Sequence, residues 1–268
     1  MMQNQKWQAS RLLKASAALH VGAAASALVW PSTMGFGIAS VIANHVVLAS
    51  AGLWPRSSLL GPNLLRLPHG RTEIALTIDD GPDPEVTPRV LDILAEKNVC
   101  ATFFCIAAKV KTQPALVRRI IDEGHHIENH SMQHRHYFSV MGMGGIKREL
   151  VQAQQVIEEA TGRRPQFFRA PAGLRNPFLD PVLHQLDLRL VSWTRRGFDT
   201  RIHDAAKITQ RLLENATAGD ILLLHDGNAA RSKNGQAVIL EVLPQLIDSL
   251  SQQNLRFVSV EEGMRADC

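Results

Sequence analysis

Apolar residues along this chain fall into two regimes that meet near residue 70. Before that point lie two long uncharged runs, Ala15 to Trp30 and Met34 to Trp54, rich in Ala, Val, Leu and Gly. After it, short apolar runs alternate with amphipathic stretches. The short runs predict strands at 73–79, 100–107, 125–130, 166–170, 189–195, 220–225 and 255–260. The stretches between them predict helices at 84–98, 113–123, 144–161, 176–187, 204–216 and 235–254. Ile221-Leu222-Leu223-Leu224 is apolar throughout, the mark of a parallel strand covered on both faces. Within 144–161, Ile146, Leu150, Ala153, Val156, Ile157 and Ala160 recur at helical spacing, and Gly162 supplies the stop. Seven β/α units in about 190 residues favour a closed or nearly closed α/β barrel over an open sheet. No internal repeat or low-complexity segment interrupts them.

The first regime is a different solvent problem. A helix needs about 20 apolar residues to cross a bilayer, so the second run is long enough and the first is marginal. Pro31-Ser32-Thr33 is a tight break between them, and Trp30 and Trp54 stand at run ends, where amphipathic rings favour the headgroup level. The expected division is a membrane-associated segment over 1–69 and a catalytic domain over 70–268. Lys6, Arg11 and Lys14 precede the first run; Arg56, Arg66 and Arg71 follow the second; the turn between has no Lys or Arg. The positive-inside tendency then gives a helical hairpin with both outer ends, and the folded domain, on the cytoplasmic face of the inner membrane. Asn44 and His45 weaken the second span, which leaves a single signal anchor with the domain outside as the competing arrangement. Ala25-Ser26-Ala27 mimics a processing site, but the second run would still anchor the product.

Composition adds exclusions. Among 268 residues, 45% are hydrophobic and 20% charged, so most of the chain folds, and a net charge of +4 without aromatics interleaved in a basic stripe does not indicate a nucleic-acid binder. Cys100, Cys105 and Cys268 make an odd set. Cys100 and Cys105 flank one predicted strand at odd spacing and point to opposite faces, so a disulfide framework is not expected. Both read as small core hydrophobes and Cys268 as a tail residue.

Polar residues gather at the C-terminal ends of the predicted strands, the face on which barrel enzymes build their sites. Asp79 and Asp80 end the first, His130 the third and Arg169 the fourth; Asp199 follows the fifth, and His225 ends the sixth. Adjacent carboxylates repel, and a divalent cation is the natural sink for their charge, although Asp-Asp-Gly-Pro is also good turn chemistry. His130 and His134 are four apart, so one helical turn would place both rings on one side. Two His and one Asp make a three-ligand site with open positions, a catalytic stoichiometry; the N/O donor set suits zinc without excluding cobalt, nickel, manganese or iron. Only one aspartate binds the metal comfortably, leaving the other to take a proton from the attacking water. Arg169 can hold that carboxylate ionised, His225 is the donor for the departing amine, and Asp199 can keep His225 cationic.

Taken together, TIDDGP at 77–82, HSMQH at 130–134, RAPAG at 169–173, Asp199 and LLHD at 223–226 closely resemble the polysaccharide deacetylases, the NodB-homology domain of carbohydrate esterase family 4, over roughly residues 70–265. The resemblance implies a distorted (β/α)7 barrel and metal-dependent hydrolysis of the amide of N-acetylated sugars, or sometimes of O-acetyl esters. It implies Asp79 as general base, Asp80, His130 and His134 as metal ligands, Arg169 and Asp199 as tuners of base and acid, and His225 as acid. Leu223 would line the pocket for the acyl methyl. Two departures reshape the cleft. Ala172 stands where the family has an aromatic residue, though its backbone N–H remains to meet the oxyanion, and Thr200 stands where many members carry Trp. Trp193, earlier on the strand, is not expected to inherit that role.

The same rim gathers Arg135, Arg175, Arg195, Arg196 and Arg201, either a solvated basic surface or a seat for an anionic substrate such as a phosphate-bearing sugar. Tyr137, Phe138 and Phe178 lie near enough to stack on a sugar or to serve as core. With the hairpin, these residues point to an N-acetylated glycan or a lipid-linked amino sugar as substrate. Two alternatives are an amidase or deformylase on a small or lipid-linked non-polymeric substrate, and an inert membrane-anchored glycan binder.

Overall fold

Two antiparallel helices, α1 (Arg11–Val29) and α2 (Met34–Leu53), rise from the rest of the molecule and turn over at a 3₁₀ turn, Pro31–Thr33. In this computed structural model, residues 6–68 and 72–265 are described; Arg71, Cys268 and the 69/70 boundary lie outside the described residues. Ser10 caps α1, its Oγ accepting from the Leu13 N–H. Both helices are long and apolar enough to cross a membrane, and most of their residues are not covered by protein. The polar residues that weaken the second run face inward. Asn44 Nδ2 donates to Ser16 Oγ at 2.8 Å, His20 Nδ1 bonds Ser16 O at 2.7 Å, and the His20 and His45 rings lie 5.2 Å apart. The Asn44 bond and the ring contact tie α1 to α2, and the His20 bond holds its ring in place within α1.

The barrel strands are β1 (Glu73–Asp79), β2 (Thr102–Cys105), β3 (His126–Asn129), β4 (Phe167–Phe168), β5 (Arg189–Leu190), β6 (Arg195–Arg196), β7 (Ile221–His225) and β8 (Arg256–Val258). Their spatial order is β5-β4-β3-β2-β1-β7-β6, with β8 beside the first half of β1, and the strand pairs are parallel. The helices are α3 (Thr87–Glu96), α4 (Ala107–Thr112), α5 (Pro114–Asp122), α6 (Met143–Thr161), α7 (Leu179–Gln185), α8 (Ala205–Leu213), α9 (Ile239–Gln252) and α10 (Val260–Met264). Gly162 ends α6 with φ +69°, a left-handed backbone that suits glycine, and Asp204 caps α8 by accepting from the Lys207 N–H at 3.1 Å. The core packs Ile74, Leu76, Ile78, Leu222 and Leu224 against Val90, Leu94, Leu243, Leu246 and Leu250. Each such side chain contributes roughly 1.5–3 kcal/mol by leaving water.

The architecture is the distorted (β/α)7 barrel that the alternation predicts. The fifth predicted strand, 189–195, differs in an instructive way. Its first residues pair with β4 and its last with β7, so one bent segment supplies both edges of the curled sheet. The gap at the bend is filled by the segment after the hairpin. Leu64 bridges Val191 and Arg66 bridges Asp220, while the Leu67 N–H donates to Gly219 O at 2.8 Å. Arg66 and Arg195 both pair with the buried Asp220 carboxylate, at 2.7 and 2.6 Å.

Candidate active site

β1 carries Asp79 and Asp80 to the rim. Asp80 adopts φ +75°, a left-handed conformation uncommon outside glycine, which bends the chain at the strand end. The bend is held by three contacts. The Asp226 N–H donates to Asp79 O at 3.2 Å, Lys109 Nζ donates to Asp80 O at 2.8 Å, and Thr87 Oγ1 donates to the Asp226 carboxylate. A Cβ on Gly81 would sit 2.4 Å from that carboxylate, so only glycine fits.

His130 and His134 do not lie on a helical turn. Both occupy the irregular loop after β3, where Ser131 and His134 take φ of +66° and +49°. The loop folds on itself: Asn129 Oδ1 accepts from the Ser131 N–H, and Ser131 Oγ accepts from the His134 N–H. The two Nε2 atoms each come within 3.2 Å of Asp80 Oδ1, and one donor atom from each residue lies within 4.8 Å of the others. His130 Nδ1 is 2.8 Å from Arg169 O; a carbonyl only accepts, so Nδ1 carries the proton and Nε2 keeps its lone pair for the cluster.

Asp80 Oδ1 is buried and makes no hydrogen bond, while Asn228 Nδ2 holds Oδ2 at 2.9 Å. An anionic oxygen so placed between two imidazole nitrogens fits a divalent cation. Burial opposes charge on Asp80, but His130, His225 and His134 hold its carboxyl well below the usual range. Burial and the neighbouring His130 lower His134, favouring the neutral ring that ligates metals. Burial likewise acts against His130, but Asp79 and Asp80 outweigh it and its pKa is raised.

Asp79 faces the cluster from the other side. Its Oδ1 accepts from Arg169 Nη1 at 2.6 Å, and its Oδ2 is 3.8 Å from His130 Nε2. Arg169 is 1% exposed. It also donates to Thr77 Oγ1, Val191 O and Ser192 O, and its guanidinium carbon lies 4.1 Å from the Phe104 ring centroid. Burial lowers its pKa and the Asp79 charge opposes that. Across the site, His225 Nδ1 meets Asp199 Oδ1 at 2.9 Å, and the His225 N–H donates to Asp199 Oδ2 at 2.7 Å. Burial works against protonation of His225, but Asp199 dominates and raises its pKa.

These residues surround a cavity of about 190 Å³ that Ala172, Gly173, Trp193, Arg196, Thr200, Leu223 and Asn228 complete. Asp79, Asp80, His130, His134, Leu223, Ala172 and His225 therefore share one cavity, with Arg169 and Asp199 buried behind it. Tyr137 and Phe178 are exposed outside the cavity, and Phe138 is core. Trp193, on the bend between β5 and β6, and Thr200 both line the cavity.

The basic rim resolves into separate jobs. Arg175 is buried and faces away from the cavity, its Nη2 donating to Ser57 O and its N–H to Gly52 O at 3.1 Å. Arg135 pairs with Glu149 and Arg195 with Asp220. Arg201 is exposed and does not line the cavity; Arg196 does. Lys109, Asn228 and Thr87 escape sequence reasoning, and Asp226 enters it only as the end of the LLHD motif with no role, although Asn228 follows His225 within three positions and shares its strand end.

The site touches the hairpin. Ser192 Oγ donates to Pro55 O at 2.7 Å, Arg56 Nη1 donates to Thr194 O at 3.2 Å, and Trp7 Nε1 donates to Asp180 Oδ2 at 2.7 Å. A Cβ on Gly173 would strike both Trp193 and Pro55. A larger groove, about 1270 Å³, runs from Trp7 and Pro62–Leu64 along α7 but holds none of the clustered histidines. A second carboxylate cluster, His126, Glu128 and Glu261, has its oxygens engaged by Arg163, Arg265 and the backbone N–H groups of Gln166 and Phe167.

Comparison with known proteins agrees with this geometry. Residues 66–191 match the polysaccharide deacetylase family. A peptidoglycan-N-acetylglucosamine deacetylase of Bacillus cereus is 35% identical over 201 residues, covering 74% of this chain and 91% of its own. The chain belongs to the polysaccharide deacetylases. A chitooligosaccharide deacetylase of Sinorhizobium fredii is 37% identical over 168 residues, covering 59% of this chain and 74% of its own. Among solved structures, the Bc1960 peptidoglycan N-acetylglucosamine deacetylase bound to 4-naphthalen-1-yl-N-oxidanyl-benzamide superposes with a TM-score of 0.70 at 27% identity, covering 76% of this chain and 94% of that one. This polysaccharide deacetylase is thus a hydrolase of carbon–nitrogen amide bonds in acetylated sugars.

Proposed function

We propose that the protein removes the N-acetyl group from an amino sugar of the N-acetylglucosamine type, carried on a membrane-attached glycan or its precursor, with a divalent cation held by Asp80, His130 and His134. The observation that carries the reading is the buried, unpartnered Asp80 Oδ1 between two imidazole nitrogens, with an acid–base pair on either side. Zinc leads the candidates for an Asp-His-His set, with cobalt, nickel, manganese and iron behind it. The cation, when bound, polarises the attacking water and the amide carbonyl.

The chain's own residues do the rest. Asp79, fixed by Arg169, accepts the proton of the attacking water as a C–O bond forms at the acetyl carbon. His225, held protonated by Asp199, gives its proton to the sugar nitrogen as the C–N bond breaks. Acetate and a free amino sugar result. Leu223 and Trp193 line the wall available to the acetyl methyl.

Support for a membrane-borne substrate comes from where the hairpin ends. α2 finishes against the Arg175 backbone, and Pro55 lies against Gly173 and Ser192 of the site wall. Spanning helices would therefore hold the catalytic rim at the bilayer surface, beside exposed Trp54, Tyr137 and Phe178. Lys6, Arg11, Lys14, Arg56 and Arg66 favour the cytoplasmic side. Alkaline phosphatase activity from a C-terminal fusion would overturn that orientation.

Acetate release by full-length, metal-loaded protein tests the chemistry. N-acetylated sugars should be turned over, and Asp79→Asn should lose turnover while keeping its metal. Absence of acetate from soluble and lipid-linked N-acetyl sugars alike would refute the proposal.

A further inference from the structure

Arg196 has no acidic partner among the described residues, unlike Arg66, Arg135, Arg169 and Arg195. Its guanidinium carbon lies 5.4 Å from the Trp193 ring centroid and 5.1 Å from that of Phe198, and its Nε is buried without a hydrogen-bond partner. The backbone beneath it is fixed. Arg196 pairs in register with Leu223, a Cβ on Gly197 would meet Ile208 of α8 at 2.5 Å, and Phe198 adopts φ +61°. The result is a guanidinium stacked beside aromatic rings, half-buried and lining the cavity that holds Asp80 and His225.

A stacked arginine in a shielded cavity is costly unless an anion completes it, and its planar fork matches the oxygens of phosphate. The catalytic carboxylates do not serve, since Asp79 is held by Arg169 and Asp199 by His225. The anion must therefore arrive with the substrate. In a 2-acetamido sugar such as N-acetylglucosamine the acetamido-bearing carbon is bonded directly to the anomeric carbon. A phosphate on the anomeric oxygen thus falls beside the scissile amide, on the side of the cavity that Arg196 lines.

Building on the deacetylase reading, we infer that Arg196 is the subsite for a phosphate attached to the amino sugar, and that the enzyme selects glycosyl phosphates over neutral N-acetylglucosamine oligomers. Lipid carriers hold their sugars through such a phosphate, and the hairpin contacts at Gly52 and Pro55 place the rim where a carrier would present it.

The test compares acetate release by full-length protein from polyprenyl-phospho-N-acetylglucosamine, N-acetylglucosamine 1-phosphate and chitotetraose. The phosphate-bearing sugars should show the higher kcat/KM. Arg196→Gln should reduce the ratio of phosphorylated to neutral substrate by about 10- to 100-fold, through KM, with Arg196→Lys in between. Which phosphate compound is faster distinguishes a lipid-borne from a free sugar phosphate. A ratio unchanged by Arg196→Gln, with the variant melting as the parent does, overturns the inference; so does a wild-type preference for chitotetraose. Calorimetric binding of N-acetylglucosamine 1-phosphate to Asp79→Asn protein, with and without Arg196→Gln, reads the subsite independently of turnover. Weaker binding on loss of Arg196 upholds the subsite even where no acetate appears, and equal binding refutes it while leaving the deacetylase reading untouched.

Discussion

Replacing Asp199 with Asn isolates the contribution of the acid's partner. Asp199 holds His225 through both oxygens, at 2.9 Å to Nδ1 and 2.7 Å to the backbone N–H. Burial alone would push the His225 pKa down; Asp199 reverses that and raises it above 6.5. Asn fits the space but removes the charge, so burial is opposed only by the smaller pulls of Asp79 and Asp80. Loss of an adjacent opposite charge moves a pKa by about 1–3 units, or about 1.4–4 kcal/mol at 1.36 kcal/mol per unit. An acid must be protonated to act, so the alkaline limb of kcat/KM should lie above pH 6.5 in the parent and about 1–3 units lower in Asp199→Asn. At pH 8 the variant should be slower by about 10- to 1000-fold, with partial recovery near pH 6. Stability follows the same direction: a raised histidine pKa stabilises fully below 6.5, and the benefit is lost as pH rises through the folded value. Acetate release across pH 5–9, with melting temperature at each pH, is the assay. An equal loss of rate at every pH, with the limb in place, would show that Asp199 only supports the fold.

Asp80→Asn should strip the cation: metal content by mass spectrometry should drop well below one per chain, and added chelator should no longer lower the melting temperature, as it should for the parent. Glu128 is raised to about 8 by burial, which outweighs the Phe167 and Gln166 N–H donors. The folded protein therefore binds a proton that the unfolded chain releases above about 4.5, and stability falls between pH 5 and 8 by up to about 5 kcal/mol; Glu128→Gln should flatten that slope in thermal melts. Gly52→Val would drive a side chain into the Arg175 carbonyl, since even a Cβ sits 2.2 Å from it. Turnover of a lipid-linked substrate should fall about tenfold or more while bound metal is retained.

Much of the chemistry was legible because barrel topology sends every strand end to one rim. Once 73–79 and 220–225 read as strands, Asp79, Asp80 and His225 had to be neighbours. Spacing misled where irregular backbone does the work. The four-residue interval of His130 and His134 suggests a helix, but a loop pinned by Asn129 and Ser131 delivers the rings. α4 was hidden because it starts two residues after β2, and α10 because Val258 and Val260 read as one strand. Arginines at the rim were indistinguishable in sequence; only packing shows Arg175 bound to the hairpin's exit and Arg196 stacked in the cavity. Asn44 and His45 weaken a lone helix, and their pairing with Ser16 and His20 is visible only when two helices meet.

Leu64 and Arg66 fill the seam where the curled sheet changes from one edge to the other. A protein trimmed at the compositional step near residue 70 would lose its zipper along with its apolar hairpin. The severed edges would be free to recruit strands from other copies. Separating the barrel from its apolar hairpin therefore means cutting upstream of Pro55, within the hairpin's own exit, and keeping the stitch that shuts the barrel.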